Sequence, residues 1–288
     1  MDRRDFLTLM GSGLVAGRAI RPARAVAGGT TAATTAGHLD RIGLELYAVR
    51  KAMKENPERT LAAVRAMGYA EVELLWSFNN FGRSKEQVRD ALRQTGLVAP
   101  SCHMAPELLL QDWERHLETA HYLGQQYLTV PSLPAETNKS LDAWKLWADR
   151  FNAAGELARR AGLWLAFHNE PNHQPMLQGQ APLEVFLQAT DPKFVRLQLD
   201  VGNMLVGGGD PVAFHARHAD RIGSFHLKNV VADRSHDTEL GAGTFDLRAF
   251  LASVRDLGRK PCFVEQEGPV DELASAKANW DYVNGLRW

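Results

Sequence analysis

The amino-acid sequence predicts a single (β/α)8 barrel. Three observations favour this fold: eight short apolar runs recur along the chain, segments with helical spacing lie between them, and successive runs begin roughly 27 to 40 residues apart. This interval is the length of one βα unit, and eight such units in one domain close into a barrel. The alternative is an open doubly wound sheet, which is disfavoured because no G-x-G-x-x-G motif begins a helix.

Each predicted strand is an apolar run of a few residues. In chain order the strands cover residues 42–48, 71–75, 98–103, 127–130, 163–167, 195–199, 222–227 and 262–264. The segments between them place apolar residues three or four positions apart, as in residues 60–67 and 183–189, which is the spacing of one buried helix face.

Helix start and stop signals support this division. An asparagine–proline pair at 56–57, a Ser-x-x-Gln box at 84–87 and an aspartate–proline pair at 210–211 are typical of helix N-termini. Glycine readily adopts the left-handed conformation that ends a helix, and five glycines lie at such positions shortly before a predicted strand. They are Gly68, Gly96, Gly124, Gly162 and Gly258.

The N-terminal residues are predicted to lie outside the barrel. Residues 1–27 contain two adjacent arginines, a mildly apolar stretch and a small-residue end, which is the layout of a twin-arginine export signal; a basic N-terminal helix is the alternative. Residues 28–38 are small and polar and indicate a disordered linker. The barrel is therefore expected over residues 39–288, in a periplasmic or secreted protein. No later segment has the ~18 consecutive apolar residues that span a membrane.

The charge and cysteine content of the sequence exclude few classes of function. The 288 residues include 33 Lys and Arg against 34 Asp and Glu, a formal net charge of −1, so nothing favours a polyanion-binding surface. Cys102 and Cys262 lie in predicted strands that are not neighbours in a barrel. Their side chains are expected to point apart and to pack as free, small apolar groups.

Polar side chains stand at the ends of the predicted strands, where barrels of this kind carry their chemistry. In the first half of the barrel they include Tyr47, Glu73, Trp76 and His103. In the second half they are His168 and Glu170, Asp200 and Asn203, His226 and Lys228, and Glu265 and Glu267. Carboxylates and imidazoles gathered at one end repel and desolvate one another unless a cation lies between them.

This arrangement predicts one divalent metal ion. The expected ligands, one from each of the fifth to eighth strands, are Glu170, Asp200, His226 and Glu265. On the fifth strand His168 and His173 are alternatives to Glu170. An oxygen-rich set with one nitrogen suits Mn²⁺, Mg²⁺ or Co²⁺ better than Zn²⁺, which is a further alternative. Each ligand also has a structural alternative, such as a turn cap for Asp200 or a core histidine for His226.

Seven motifs follow one another across residues 41–285: GLELYAVR, MGYAEVEL, FHNE, LQLDVGN, SFHLKN, LGAGTFDL and FVEQE. Their order resembles the xylose-isomerase-like sugar phosphate isomerase/epimerase family, TIM barrels that include secreted twin-arginine members. The resemblance implies one divalent cation held by a Glu, Asp, His, Glu set, in which Asp200, His226 and Glu265 match. Secreted relatives often have HNH and then DFEF at the fifth strand, whereas here Glu170 replaces the second histidine and His173 stands at the later glutamate. Asn203 also departs, because many relatives have histidine or an aromatic residue there.

These features predict a metal-dependent isomerase, epimerase or related lyase that acts on a sugar, keto-sugar or cyclitol. A metal that binds a carbonyl oxygen and the adjacent hydroxyl stabilises the enediolate formed when the α-proton leaves. Glu170 and Glu265 are expected to bind the metal and transfer protons, assisted by His168 and Lys228. The residues expected to contact the substrate are Tyr47, Glu73, Trp76, His103, His173 and Asn203.

Two other functions are alternatives. A non-catalytic periplasmic carbohydrate-binding protein could use the same barrel, because a fold does not establish a chemistry. An abasic-site endonuclease is more remote, since it needs additional metal ligands and a basic surface that tracks phosphates. The expected partner is a small sugar or keto-sugar, with neither nucleic acid nor a membrane.

Overall fold

Eight parallel strands close into a barrel in the computed structural model, which describes residues 37–288. The strands are hydrogen-bonded in the order β1-β10-β7-β6-β5-β4-β3-β2, and β1 closes the ring by pairing with both β2 and β10. The barrel strands are β1 (Gly43–Glu45), β2 (Glu71–Leu75), β3 (Val98–His103), β4 (Tyr127–Val130), β5 (Trp164–His168), β6 (Val195–Asp200), β7 (Ile222–Leu227) and β10 (Cys262–Val264). The predicted (β/α)8 barrel is confirmed.

Helices surround the barrel and connect its strands. They are α1 (Arg50–Glu55), α2 (Pro57–Met67), α3 (Asn79–Gly82), α4 (Lys85–Thr95), α5 (Trp113–Leu123), α6 (Leu141–Arg160), α7 (Pro182–Ala189), α8 (Val201–Val206), α9 (Pro211–His218), α10 (Leu247–Ser253) and α11 (Glu272–Gly285). Between β7 and α10, a short antiparallel hairpin is formed by β8 (Asn229–Val230) and β9 (Asp237–Thr238). Among the helices of residues 37–288, none is both long and apolar enough to cross a membrane.

Five of the predicted strands have the observed bounds, and three differ. The first is shorter than predicted, because the chain turns into the 3-10 helix Leu46–Val49 directly after Glu45. The fifth and sixth end one residue later than predicted, at His168 and Asp200. This difference decides which side chains point into the barrel mouth.

The predicted helix signals act as expected, with one exception. Ser84 forms a capping box with Gln87: its hydroxyl accepts the Gln87 N–H at 3.3 Å, and its own N–H donates to Gln87 Oε1 at 2.9 Å. Four of the five glycines adopt a positive φ between 71° and 115°. The prediction for Gly258 is wrong, because this residue lies inside the 3-10 helix Leu257–Arg259 and its φ is not in the left-handed region.

The core lies between the barrel and its helices. Behind β5, rings of Trp144, Phe151, Phe167 and Phe186 pack mostly edge to face, with centroids 4.5 to 6.2 Å apart. Such aromatic contacts stabilise the packing by about 0.5–1.5 kcal/mol per pair beyond area burial. They fix α6 and α7 on the strand that carries the fifth-strand site residues. Cys102 and Cys262 are buried free thiols, as predicted.

The predicted export signal, residues 1–27, and most of the predicted linker, residues 28–38, lie outside the described residues. Gly37 is described, and it exchanges two backbone hydrogen bonds with Trp288, at 2.5 and 3.0 Å. Gly37, the first described residue, therefore lies beside Trp288, the last one.

Candidate active site

Four titratable side chains meet at the carboxyl end of the barrel. His168 and Asp200 are the last residues of β5 and β6, His226 lies near the end of β7, and Glu265 directly follows β10. Each offers a ligating atom within 4.8 Å of those of the other three, and all four side chains are buried. This group, named the ligand cluster, consists of His168, Asp200, His226 and Glu265.

The fifth-strand member of the ligand cluster is His168 rather than Glu170. Because β5 extends to His168, the chain turns into the 3-10 helix Pro171–His173 only afterwards, and Glu170 lies beside the cluster. Glu170 Oε1 is 3.7 Å from His168 Nδ1, and its Oε2 accepts a hydrogen bond from Asn203 Nδ2 at 3.2 Å. Burial raises the pKa of the Glu170 carboxyl to about 8. The structure thus places His168, an alternative that the sequence left open, in the cluster and Glu170 beside it, and the identity of the fifth-strand metal ligand stays a prediction.

The ligand cluster contains buried polar atoms that have no hydrogen-bond partner. Both ring nitrogens of His168 are buried without a hydrogen bond. Leaving a buried polar group unsatisfied costs about 1–3 kcal/mol. Burial lowers the pKa of His168, so its ring is neutral at pH 7 and carries a lone pair. The donor chemistry and the unpartnered atoms therefore fit a divalent cation held by these residues.

His226 lies between two carboxylates. Its Nδ1 is 2.8 Å from Glu265 Oε2, and its Nε2 is 2.5 Å from Glu73 Oε2. Burial alone would lower the pKa of His226, but the carboxylates of Glu73, Glu45 and Glu265 raise it well above its usual range. The ring is thus held in one orientation, with Nδ1 toward the rest of the ligand cluster.

Lys228 brings a buried positive charge to the same place. Its Nζ is 2.6 Å from Glu267 Oε1, 3.1 Å from Glu265 Oε2 and 3.2 Å from Asp200 Oδ2. These carboxylates raise the pKa of Lys228 well above its usual range, although burial opposes the charge. Lys228, Asn203 and Glu267 line one wall of a cavity of about 400 Å³, a volume that suits a small polar ligand.

Comparison with known proteins identifies the family. Residues 61–284 match the family model of the xylose isomerase-like TIM barrel. The chain belongs to this family. An inosose dehydratase from Salmonella agona is 33% identical over 117 residues, which are 41% of this chain and 38% of that protein. Alignments with the first curated relatives, all inosose dehydratases, span 38% to 66% of those proteins.

Solved structures of other xylose isomerase-like barrels share the fold. A sugar phosphate isomerase/epimerase from Parabacteroides distasonis superposes with a TM-score of 0.71 at 22% identity, covering 87% of this chain and 94% of that one. The IOLI protein with a bound zinc atom gives a TM-score of 0.66 at 14% identity, covering 84% and 95%. At these identities the likeness shows the fold.

A second layer of polar side chains lies directly beneath the ligand cluster of this xylose isomerase-like barrel. It contains Glu45, Glu73, Ser101, His103 and Gln198, all buried. Ser101 and Gln198 were not singled out from the sequence. The signal that could have found them is strand alternation, because Gln198 precedes Asp200 by two residues and Ser101 precedes His103 by two, which places each pair on one face.

Glu73 and His103, which were predicted to bind substrate, are buried and bonded to other protein side chains, and their contact with a substrate stays a prediction. Both Glu73 oxygens accept hydrogen bonds within the protein, from Ser101 and Gln198 at Oε1 and from His226 at Oε2. Both nitrogens of His103 are likewise engaged, with Glu45 and Gln198. These two residues belong to the second layer and support the ligand cluster from below.

His173 is likewise buried and bonded within the protein. Its ring packs against Trp144 and Phe167, with centroids 4.9 and 5.2 Å away, and its Nδ1 accepts the backbone N–H of Glu170 at 2.9 Å. Burial lowers the pKa of His173 to about 3, so the ring is neutral. The structure therefore places His173 where it shapes the loop that carries Glu170, and its contact with substrate stays a prediction.

The aromatic residues expected to bind sugar lie at separate places. Tyr47 packs edge-on against Phe78 at 5.8 Å and beneath the Arg50 guanidinium at 4.1 Å. Trp76 lines a different cavity, of about 660 Å³, together with His116 and residues that follow β2 and β3. No member of the ligand cluster lines that cavity. Asn203, by contrast, lies beside the ligand cluster and bridges Lys228 and Glu170.

Proposed function

We propose that this protein is a divalent-metal-dependent enzyme that isomerises, epimerises or dehydrates a sugar, keto-sugar or cyclitol by moving a proton next to a carbonyl group. The observation that carries the proposal is the ligand cluster, in which two imidazoles and two carboxylates converge while both buried ring nitrogens of His168 lack hydrogen-bond partners. The family of the chain and the inosose dehydratases among its relatives support this class of reaction.

The metal is expected to be Mn²⁺, Co²⁺ or Zn²⁺. With His168 in place of Glu170, the ligand cluster has two nitrogens and two oxygens, which moves the preference away from Mg²⁺. A zinc atom is bound by one solved structure of the same fold. When bound, a divalent cation would polarise a substrate carbonyl and so acidify the neighbouring C–H bond.

Three side chains are expected to transfer protons and to stabilise negative charge on the substrate. Glu265 is expected to accept the substrate proton, a role supported by the position of its Oε2 between His226 and Lys228. Glu170, which accepts a hydrogen bond from Asn203, is expected to return a proton or to protonate a departing hydroxyl. Lys228 stabilises negative charge that develops on substrate oxygen, since its ammonium is fixed by buried carboxylates.

The substrate is expected to be a neutral polyol rather than a sugar phosphate. The cavity beside Lys228 also contains the carboxylates of Asp237 and Glu267, so its walls carry no excess of positive charge to hold a phosphate. The hydroxyl groups of a polyol can accept hydrogen bonds from Lys228 and donate hydrogen bonds to the carboxylates. Oxidised glycosides, keto-sugars and inososes fit this description.

Deuterium exchange tests the proposal. Metal-replete and chelator-stripped protein are incubated in D₂O with aldoses, ketoses, inososes and 3-keto-glycosides, and NMR locates any deuterium. Metal-dependent incorporation at one carbon is the expected result, and His226→Ala should abolish it while the surface variant His121→Ala retains it. Sugar binding by calorimetry with no exchange on any substrate would instead favour a carbohydrate-binding protein.

Export is a separate proposal, and it depends on residues 1–27 alone. We expect the mature protein outside the cytoplasm, with its signal removed near residue 27. N-terminal sequencing of protein recovered from the periplasm checks both points. Replacing the two arginines by lysines should leave the protein in the cytoplasm.

A further inference from the structure

A chain of buried hydrogen bonds lies beneath the ligand cluster and joins five barrel strands. Glu73 Oε2 meets His226 Nε2 at 2.5 Å, and Glu73 Oε1 accepts the side-chain amide N–H of Gln198 at 2.9 Å. The other end of that amide, Gln198 Oε1, is 2.7 Å from His103 Nε2. His103 Nδ1 in turn is 2.8 Å from Glu45 Oε1. These residues come from β2, β7, β6, β3 and β1 respectively.

The direction of every bond near Glu73 follows from Glu73 itself. An ionised carboxylate can only accept hydrogen bonds. Glu73 Oε1 accepts hydrogen bonds from the Ser101 hydroxyl and the Gln198 amide, and its Oε2 lies against His226 Nε2, so hydrogen-bond donors surround both oxygens. His226 Nε2 must therefore donate, and so must the Gln198 amide nitrogen.

The same reasoning extends one residue further. Because Gln198 turns its amide nitrogen to Glu73, it turns its carbonyl oxygen to His103. A carbonyl oxygen only accepts, so His103 Nε2 must donate as well. One carboxylate thus determines the orientation of one amide and requires a proton on Nε2 of two imidazoles.

We propose that Glu73 is a positioning residue that sets the ligating nitrogen of His226 and, through Gln198, the proton position on His103. By holding a proton on Nε2 of His226, Glu73 leaves Nδ1 as the nitrogen that would give up its proton and offer a lone pair when a metal binds. That atom faces the other members of the ligand cluster, 2.8 Å from Glu265 Oε2 and 3.9 Å from Asp200 Oδ2. The part of this inference that concerns metal binding rests on the proposed function.

Glu73→Gln is the decisive substitution. It keeps the size of the side chain, but an amide can donate hydrogen bonds as well as accept them. The new amide nitrogen can donate to His226 Nε2, which releases the proton to the other side of the ring. Loss of the partner that orients a metal-ligating histidine typically weakens metal affinity by about 10–100-fold. We expect a decrease of this size for Mn²⁺ and Zn²⁺, measured by competition with a chromophoric chelator.

A matched control comes from the same strand. Glu71 is also buried and is paired with Arg41 at 2.5 Å, but it lies two residues nearer the opposite end of the barrel. Glu71→Gln should keep metal affinity within about threefold of the wild type. Ser101→Ala removes only one donor to Glu73 and leaves the bond directions intact, so it should behave like the control.

NMR of protein with ¹⁵N-labelled histidine gives a readout that does not depend on a metal. In the metal-free wild type, Nε2 of both His226 and His103 should carry a proton in hydrogen-bonded form. In Glu73→Gln this signature should be lost from both rings, whereas Glu71→Gln should retain it. If Glu73→Gln does not fold, Gln198→Met tests the second half of the chain, with the change confined to His103.

The outcomes separate the two proposals. Unchanged ring signals and unchanged metal affinity in Glu73→Gln would overturn the role of Glu73. A wild type that shows the expected ring signals but binds no divalent metal would leave the hydrogen-bond directions standing and overturn the metal-dependent function. Loss of affinity in both Glu73→Gln and Glu71→Gln would indicate a general weakening of the barrel and would also overturn the specific role.

Discussion

Replacing His168 by phenylalanine is expected to change stability in opposite directions with and without metal. The imidazole of His168 is 2% exposed, and neither of its nitrogens has a hydrogen-bond partner. In the metal-free protein this ring carries unsatisfied polar groups, and a phenyl ring of similar shape does not. In the metal-loaded protein the same ring is a ligand, and the phenyl ring cannot replace it.

The magnitude follows from the number of unpartnered atoms. Removing an unsatisfied buried polar group recovers about 1–3 kcal/mol. For a domain of this size, each kcal/mol raises Tm by about 2–4 °C. The metal-free variant is therefore expected to unfold several degrees above the metal-free wild type. With Mn²⁺ at 100 times its Kd the wild type gains about 2.7 kcal/mol, and the variant should lose most of this gain.

Differential scanning calorimetry with and without Mn²⁺ measures both effects at pH 7. Glu170→Gln is the matched control, since Glu170 lies beside the ligand cluster and should leave the metal-dependent gain nearly intact. An equal metal-dependent gain in His168→Phe and the wild type would refute the assignment of His168 as a ligand. A gain that vanishes in Glu170→Gln but persists in His168→Phe would restore Glu170 to that position.

Three further predictions concern other parts of the site and fold. Lys228→Met leaves three carboxylates without their buried cation, and urea denaturation should show a loss of about 3–5 kcal/mol; a loss below about 1 kcal/mol would contradict this account. Burial lowers the pKa of His173 to about 3, so the unfolded chain binds a proton below its usual pKa of 6.5 and the folded chain does not. Stability is then lost as the pH falls from 6.5 to 3, by on the order of 4 kcal/mol, and urea denaturation at pH 7 and pH 4.5 should show less of this loss in His173→Phe. Ser84→Ala removes the capping box of α4 and should cost about 0.5–2 kcal/mol by the same method, whereas Ser235→Ala on an exposed loop should cost less.

The sequence predicted the architecture well because local signals and the barrel agree. The apolar run at residues 71–75 and the capping box at 84–87 each determine their own segment, and the structure reproduces both. The prediction of a helix cap at Gly258 was wrong because a glycine before a strand does not show that an α-helix precedes it. In the structure a 3-10 turn occupies that place, and no left-handed cap is needed.

The site was predicted in outline but not at the fifth strand. Asp200, His226 and Glu265 come together as expected, whereas the choice among His168, Glu170 and His173 depended on where β5 ends. That end is fixed by pairing with β6, where His168 lies opposite Gln198, and no local pattern reports such pairing. The second layer was missed for a similar reason, since the partners of Glu73 become visible only when distant strands are closed into a barrel.

The bond between Glu73 and His226 joins residues 153 positions apart, on strands that are not neighbours in the barrel. During refolding, a chain whose last four strands alone had assembled would possess all four ligating side chains without the carboxylate that orients one of them. Full affinity for the ion would appear only after the early strands had joined the late ones. The time course of metal capture would therefore follow closure of the ring rather than the initial collapse of the chain.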